Sequence, residues 1–153
     1  HDRYRRQRQM CIRDSPFTTL DPKLGVVRKD DQELVVADIP GLIEDAHKGD
    51  GLGFKFLKHI ERCHSIIHVI DVTDEDVKKS YNTITSELNN YDGNITKKNK
   101  IVVLNKCDLI DKEEIKIKKN ILENETQLQV YTISTITGEG VSNLINHILI
   151  IKN

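Results

Sequence analysis

The sequence has no tryptophan, one methionine, three prolines, three phenylalanines and four tyrosines in 153 residues. Its core must therefore be aliphatic rather than aromatic. The three cysteines, Cys11, Cys63 and Cys107, are an odd number, widely spaced and without a metal-ligand pattern. That excludes a disulfide scaffold and reads as free thiols in a reducing, cytoplasmic setting. No apolar run approaches the roughly 20 residues needed to span a bilayer, and no secretory signal is recognisable, so no membrane partner is expected. A general basic surface is also lacking. The formal net charge is −1, but five of the seven arginines lie in the first 13 residues. Residues 14–153 carry two arginines and sixteen lysines against 23 acidic residues, a net of −5. A mildly acidic body argues against a nucleic-acid face, and no sequence-specific DNA binding is expected. With 37% hydrophobic and 31% charged residues, the chain has the composition of one globular domain. A monomer is expected.

Residues 1–15 differ in character from the rest of the chain. Arg3, Arg5, Arg6, Arg8 and Arg13 alternate with Gln7 and Gln9 and show no apolar period. They read as a non-native or disordered basic segment, the alternative being a basic arm for phosphate surfaces. From Pro16 the pattern becomes that of an α/β protein. Leu24–Val27 and Glu33–Ala37 read as two strands joined by a polar turn at Lys29–Gln32. Phe54–Arg62 has helical spacing, and Ser65–Asp71 reads as a buried strand. Thr73 or Asp74 is a candidate cap for a helix running to about Asn90, with Val77, Tyr81, Ile84 and Leu88 on one stripe. A helix over Lys112–Glu123, a strand over Val130–Ile133 and a helix over Val141–Ile151 complete the alternation. Such alternation predicts a mostly parallel sheet flanked by helices, with the strands' carboxyl ends on one edge. His68, inside an apolar strand, reads as a hydrogen-bonded core histidine. Asp71, at a strand end, reads as a cap or loop contact, and Lys116, Lys118 and Lys119 as a solvated helix face.

The most informative stretch is Ile101-Val102-Val103-Leu104-Asn105-Lys106-Cys107-Asp108. Its first four residues form a short unbroken apolar run, which predicts a strand buried on both faces. The polar tetrad then falls at the strand's carboxyl end, where open α/β sheets bind ligands. Guanine suits these residue types. Its Watson–Crick edge offers two adjacent donors, and the acceptor-only carboxylate of Asp108 can take both. Adenine presents an unprotonated ring nitrogen there, a mismatch that a buried polar site penalises heavily. Asn105 can serve the opposite edge of the base or tie loops together. The Lys106 stem can cover the ring while its ammonium stays in water. The competing reading is a plain turn in which Asp108 caps the following helix.

The order of motifs is more specific than any one of them. A Thr-Thr loop, a hairpin, Asp38-Ile39-Pro40-Gly41, a strand, Asn105-Lys106-Cys107-Asp108, and a strand ending in Ser134-Thr135-Ile136 follow one another as in P-loop GTPases. Pro16-Phe17-Thr18-Thr19-Leu20, Leu24–Val27, Ala37–Glu44, Gly51-Leu52-Gly53 and Phe56–Arg62 closely resemble the Obg family of GTPases, which are associated with maturation of the large ribosomal subunit. The resemblance implies a Ras-like G domain over residues 16–153, with GTP as substrate, GDP as product and Mg²⁺ as cofactor. It makes Phe17, Thr18, Thr19, Leu20 and Asp21 the first switch, with the Thr19 hydroxyl on Mg²⁺. Asp38, Ile39, Pro40 and Gly41 become the second switch, with Asp38 holding the metal through a water and the Gly41 N–H sensing the γ-phosphate. Asn105, Lys106, Cys107 and Asp108 would bind guanine. Ser134, Thr135 and Ile136 would lie beside the base and offer a backbone N–H to its carbonyl. The implied partners are the guanine nucleotide and the large ribosomal subunit or its precursor. No catalytic side chain is assigned.

Two departures qualify the resemblance. No Gly-x-x-x-x-Gly-Lys-Ser/Thr phosphate loop occurs in the 153 residues. The first strand, the phosphate loop and the first helix are therefore expected to be missing, and the alternative is a non-catalytic fragment that retains guanine recognition but binds GTP weakly. Asp45 stands where the family usually has glycine. Leu42 is consistent with the resembled family; it follows Asp-x-x-Gly where many other GTPases place a water-orienting glutamine, so hydrolysis is expected to be slow without a partner.

Overall fold

The computed structural model describes residues 23–38, 63–91 and 97–152. The expected helix over 54–62, the Thr18-Thr19 loop, Ile39 to Gly41 and the arginine-rich segment lie outside the described residues. Those described fall into two compact units, one holding 23–38, 63 and 87–91 and the other 64–86 and 97–152.

The first unit contains the hairpin. Strand β1 (Lys23–Lys29) pairs antiparallel with β2 (Gln32–Asp38), from Lys23 opposite Asp38 to Lys29 opposite Gln32. The turn is only Asp30-Asp31, with φ of 49° and 65°. Positive φ at both central residues is what a type I′ turn needs, and that turn matches the twist of the strands it joins. Aspartate is among the few residues with a side chain that enter this region readily. The cross-strand pair Arg28 Nε–Glu33 Oε2, at 3.0 Å, is largely exposed and contributes under about 1 kcal/mol. Asp38 ends β2 and is buried.

The second unit carries β3 (Ser65–Asp71), most of α1 (Val77–Tyr91), β4 (Asn99–Asn105), a single 3₁₀ turn (Cys107–Leu109), α2 (Lys112–Thr126), β5 (Val130–Thr132) and α3 (Val141–Lys152). The strands form a parallel sheet in the order β3-β4-β5. Parallel neighbours need long crossovers, and α1 and α2 supply them. Strand β4 is the middle strand, and every residue from Ile101 to Asn105 is buried. Val102 and Leu104, two apart and so on one face, join a buried cluster with Ile70, Val77 and Tyr81 of the β3–α1 side and Leu122 and Val130 of the α2–β5 side. Truncating Ile70, Leu104 or Leu122 to alanine would cost about 2–5 kcal/mol.

The helix ends differ in detail from the pattern. Neither Thr73 nor Asp74 caps α1. Asp76 does, its Oδ1 accepting the Lys79 N–H at 3.0 Å, while Asp74 Oδ2 accepts the Ser80 hydroxyl at 3.1 Å. Asp111 caps α2, with Oδ1 2.8 Å from the Glu114 nitrogen. Glu113 and Glu114 in that first turn also suit the helix dipole. The helix continues to Thr126, three residues past Glu123, and closes where Gln127 turns left-handed (φ 59°) and donates to the Glu123 carbonyl. Lys118 is not solvated. Its side chain is 11% exposed, and its ammonium donates to the Val72 and Asp74 carbonyls at 2.7 Å each.

His68 is a core residue, stacked on Tyr81 with ring centroids 5.1 Å apart. Its Nδ1 has no hydrogen-bond partner among the described residues. Burial, helped by the positive charge of Lys100, lowers its pKa from 6.5 to about 3. The folded protein therefore keeps His68 neutral where the unfolded chain protonates it. Stability is unaffected above pH 6.5 and falls between pH 6.5 and 3 by about 1.4 kcal/mol per unit. His68→Phe should flatten that acid limb in urea titrations from about pH 7 to 4; an unchanged limb would contradict the assignment.

Candidate functional site

Three strands end together. In the parallel register Asp71 of β3 lies opposite Asn105 of β4, and β5 ends beside Leu104. The loops beyond these ends are held to one another by the backbone. The Val72 N–H donates to the Asn105 carbonyl at 2.9 Å, Ile133 N–H to the Leu104 carbonyl at 2.8 Å, and Cys107 N–H to the Ile133 carbonyl at 3.1 Å. The chain can turn between Asn105 and Cys107 because Lys106 adopts φ 68°, ψ 32°. A lysine in that region is uncommon and needs surrounding contacts to hold it.

The side chains complete the arrangement. Asn105 is buried, and its Oδ1 accepts the Thr135 N–H at 3.2 Å. Ser134, fully buried, donates its hydroxyl to Asp108 Oδ1 at 2.8 Å and accepts the Thr137 N–H at 3.2 Å. Asp108 is exposed and does not cap α2, whose cap is Asp111. The plain-turn reading of Asp108 is thereby removed: its carboxylate is oriented by a loop 26 residues away. The Lys106 ammonium does not stay in water as expected: Nζ reaches Asp71 Oδ2 at 2.5 Å, because a fixed carboxylate lies within reach of the stem. The other Asp71 oxygen takes the Thr73 N–H at 2.9 Å and hydroxyl at 2.6 Å. Burial pushes the Asp71 carboxyl up, but the bonds from Lys106 and Thr73 outweigh it and hold its pKa below the ordinary value.

The loop from Ser134 to Gly140 is closed by its own backbone bonds. The Gly138 N–H donates to the Ser134 carbonyl at 2.7 Å, and the Ser134 N–H to the Glu139 carbonyl at 3.0 Å. Gly140 has φ 78°, and a Cβ there would stand 2.3 Å from the Thr132 carbonyl oxygen. Of the three N–H groups at Ser134, Thr135 and Ile136, the first two are engaged within the site. The Ile136 N–H has no partner among the described residues, and its side chain is 82% exposed. Cys107 contributes packing rather than chemistry. Burial raises its thiol to about 11, despite the Ile133 backbone contact, and Sγ–H donates to the Leu104 carbonyl at 3.4 Å.

The structure thus brings Asn105, Lys106, Cys107, Asp108, Ser134, Thr135 and Ile136 to one sheet edge. Asp38 is described in the other unit, and Phe17 to Asp21 and Ile39 to Gly41 lie outside the described residues. The sequence reading put Asp71 at this edge only as a cap or loop contact, without its ion pair to Lys106, and gave Lys118 no part in it. The acid at a strand end directly opposite Asn105 was the available signal for Asp71. For Lys118 there was none, because helical spacing alone cannot show which lysine meets a carbonyl pair.

Residues 4–106 match the family model described as "50S ribosome-binding GTPase". The chain is 54% identical over 143 residues to GTPase Obg of Rickettsia akari, covering 93% of this chain and 43% of that protein. It is 51% identical over 139 residues to GTPase Obg of Ehrlichia ruminantium, covering 90% and 41%. It therefore spans about two fifths of the length of these curated relatives. Among solved structures, Era in complex with MgGDPNP and a segment of 16S ribosomal RNA superposes with a TM-score of 0.69 at 21% identity, over 92% of this chain and 47% of that one. The G domain of the Thermotoga maritima FeoB iron transporter gives 0.64 at 19%, over 92% and 82%. The fold is that of the G domain of P-loop GTPases.

Ser134→Ala removes both bonds of a buried hydroxyl, one of them to a carboxylate. The expected cost is about 1–2 kcal/mol, the lower half of the range because Asp108 is exposed. Urea denaturation should show it; a loss below about 0.3 kcal/mol would mean that Ser134 does not hold Asp108.

Proposed function

The chain belongs to the family described as 50S ribosome-binding GTPase; we propose that it is a portion of an Obg GTPase and that its parallel-sheet unit is the guanine-reading part of an enzyme that hydrolyses GTP to GDP and phosphate. The observation that carries this reading is the Ser134–Asp108 hydrogen bond at the sheet edge. It ties an exposed carboxylate to a loop 26 residues away and leaves acceptor lone pairs that suit the ring N–H and exocyclic amine of guanine. The buried Asn105, bound to Thr135, sets the opposite wall. The Ile136 N–H is the donor left for the guanine carbonyl.

The remaining roles rest on family membership and on residue chemistry. Asp38 supplies a buried carboxylate and Thr19 a hydroxyl. Both are oxygen donors of the kind that Mg²⁺ takes while keeping several waters, so they fit the ion as outer- and inner-shell partners respectively. The ion would neutralise charge on the phosphates. Phe17 to Asp21 and Asp38 to Gly41 act as the nucleotide-sensing switches. The large ribosomal subunit is the partner supported by the family description, and residues 16–153 are the G-domain portion. No helix among the described residues is long and apolar enough to cross a membrane. A second reading applies to the chain itself. It contains no Gly-x-x-x-x-Gly-Lys-Ser/Thr stretch, which favours base recognition with weak phosphate binding.

Asp108→Asn decides the base assignment. An amide keeps one acceptor and gains a donor, so it mismatches guanine's amine and matches the carbonyl that xanthine carries at that position. In titrations with fluorescent nucleotides the substitution should weaken GDP by at least about tenfold and strengthen xanthosine diphosphate relative to it. Equal affinity of the unsubstituted chain for GDP and ADP would overturn the reading.

A further inference from the structure

Asp71 stands outside the tetrad and outside the Ser134 loop, yet it is tied to both through β4. It faces Asn105 across the parallel β3–β4 pairing, and the next residue, Val72, donates its N–H to the Asn105 carbonyl. One carboxylate oxygen is held by the N–H and hydroxyl of Thr73, and the other meets the Lys106 ammonium. The Asp71 and Lys106 side chains are 28% and 13% exposed, so the pair is largely shielded from water. The loop behind Asp71 is fixed in turn by Lys118, which donates to the carbonyls of Val72 and Asp74. Asp71 therefore cannot follow a wandering lysine; the lysine must come to it.

We propose that Asp71 is a positioning residue for base recognition, anchoring the Lys106 ammonium so that the four-carbon stem is set as one wall of the guanine site before any nucleotide arrives. The inference rests on the guanine reading above. Its physical content is entropic. An untethered lysine holds many rotamers and must lose them when a base packs on its stem. A head already fixed by a rigid carboxylate has lost them in advance, so binding need not oppose that cost. The left-handed backbone of Lys106 fits the same picture, since an uncommon conformation persists only where its surroundings over-determine it.

A double-substitution cycle on the full chain tests this with GDP and ADP as ligands, read by NMR titration so that weak binding is measurable. Asp71→Asn should weaken GDP by about three- to tenfold while Lys106 is present, and by less than about twofold in the Lys106→Met background. Asp71→Glu, which restores the charge, should recover most of the loss. Equal losses in both backgrounds would show a merely structural role and overturn the proposal, as would no loss at all. If Asp71→Asn also lowers thermal stability, the Asp71→Glu arm still decides, since a loss as large as that of Asn means that the charge does not matter. Failure of the unsubstituted chain to prefer GDP over ADP overturns the base reading and this inference with it. A retained preference with a flat cycle removes only the role of Asp71.

Discussion

The buried carboxamide of Asn105 is the constraint on which the site depends. Its backbone carbonyl accepts from Val72 and its side-chain oxygen from Thr135, so one residue joins the ends of β3, β4 and β5. A polar group this buried is costly unless it is bonded, and its bonds are the loop connections themselves. The penalty for leaving Asn105 unsatisfied is thus converted into a fixed geometry at the sheet edge. An aliphatic residue at this position would keep the backbone bond to Val72 but lose the side-chain bond to Thr135, and with it the link to the loop after β5.

Around that point the electrostatics divide into two arms. On one side Ser134 aims the Asp108 carboxylate, and on the other Asp71 holds the Lys106 ammonium. The acidic and basic groups that would face a base are each paired with a group on another loop. Neither is oriented by its own local turn. The Cys107 thiol, between Lys106 and Asp108 in sequence, is kept protonated by burial and donates to the Leu104 carbonyl as a small packing residue. The hairpin of the other unit is built by different means, from a two-residue turn and a strict antiparallel register.

The alternation of apolar runs and helical stripes was enough to place β3, β4, α1, α2 and α3, because each buries a continuous or periodic face. Asn105, Lys106, Asp108 and Ser134 were legible because their residue types sit at strand ends in a known order. What was not legible depends on distances along the chain. That Asp108 is held by Ser134 rather than capping α2 follows from a bond across 26 residues, and that Lys118 turns inward follows from carbonyls 46 and 44 residues away. The cap of α1 moved to Asp76 because several acidic residues compete at that turn and propensity cannot rank them. His68 was expected to be hydrogen-bonded in the core; it is in the core, but Tyr81 stacking takes the place of a bond at Nδ1.

A sheet edge that reads a guanine base through a preset geometry needs no phosphate contacts to form it. Amide chemical-shift mapping of the chain with guanosine and with adenosine, neither carrying phosphate, tests it most directly. Guanosine should shift Asn105, Lys106, Asp108, Ser134, Thr135 and Ile136, with little response to adenosine. Equal responses to the two nucleosides, or guanosine shifts located away from this edge, would contradict it.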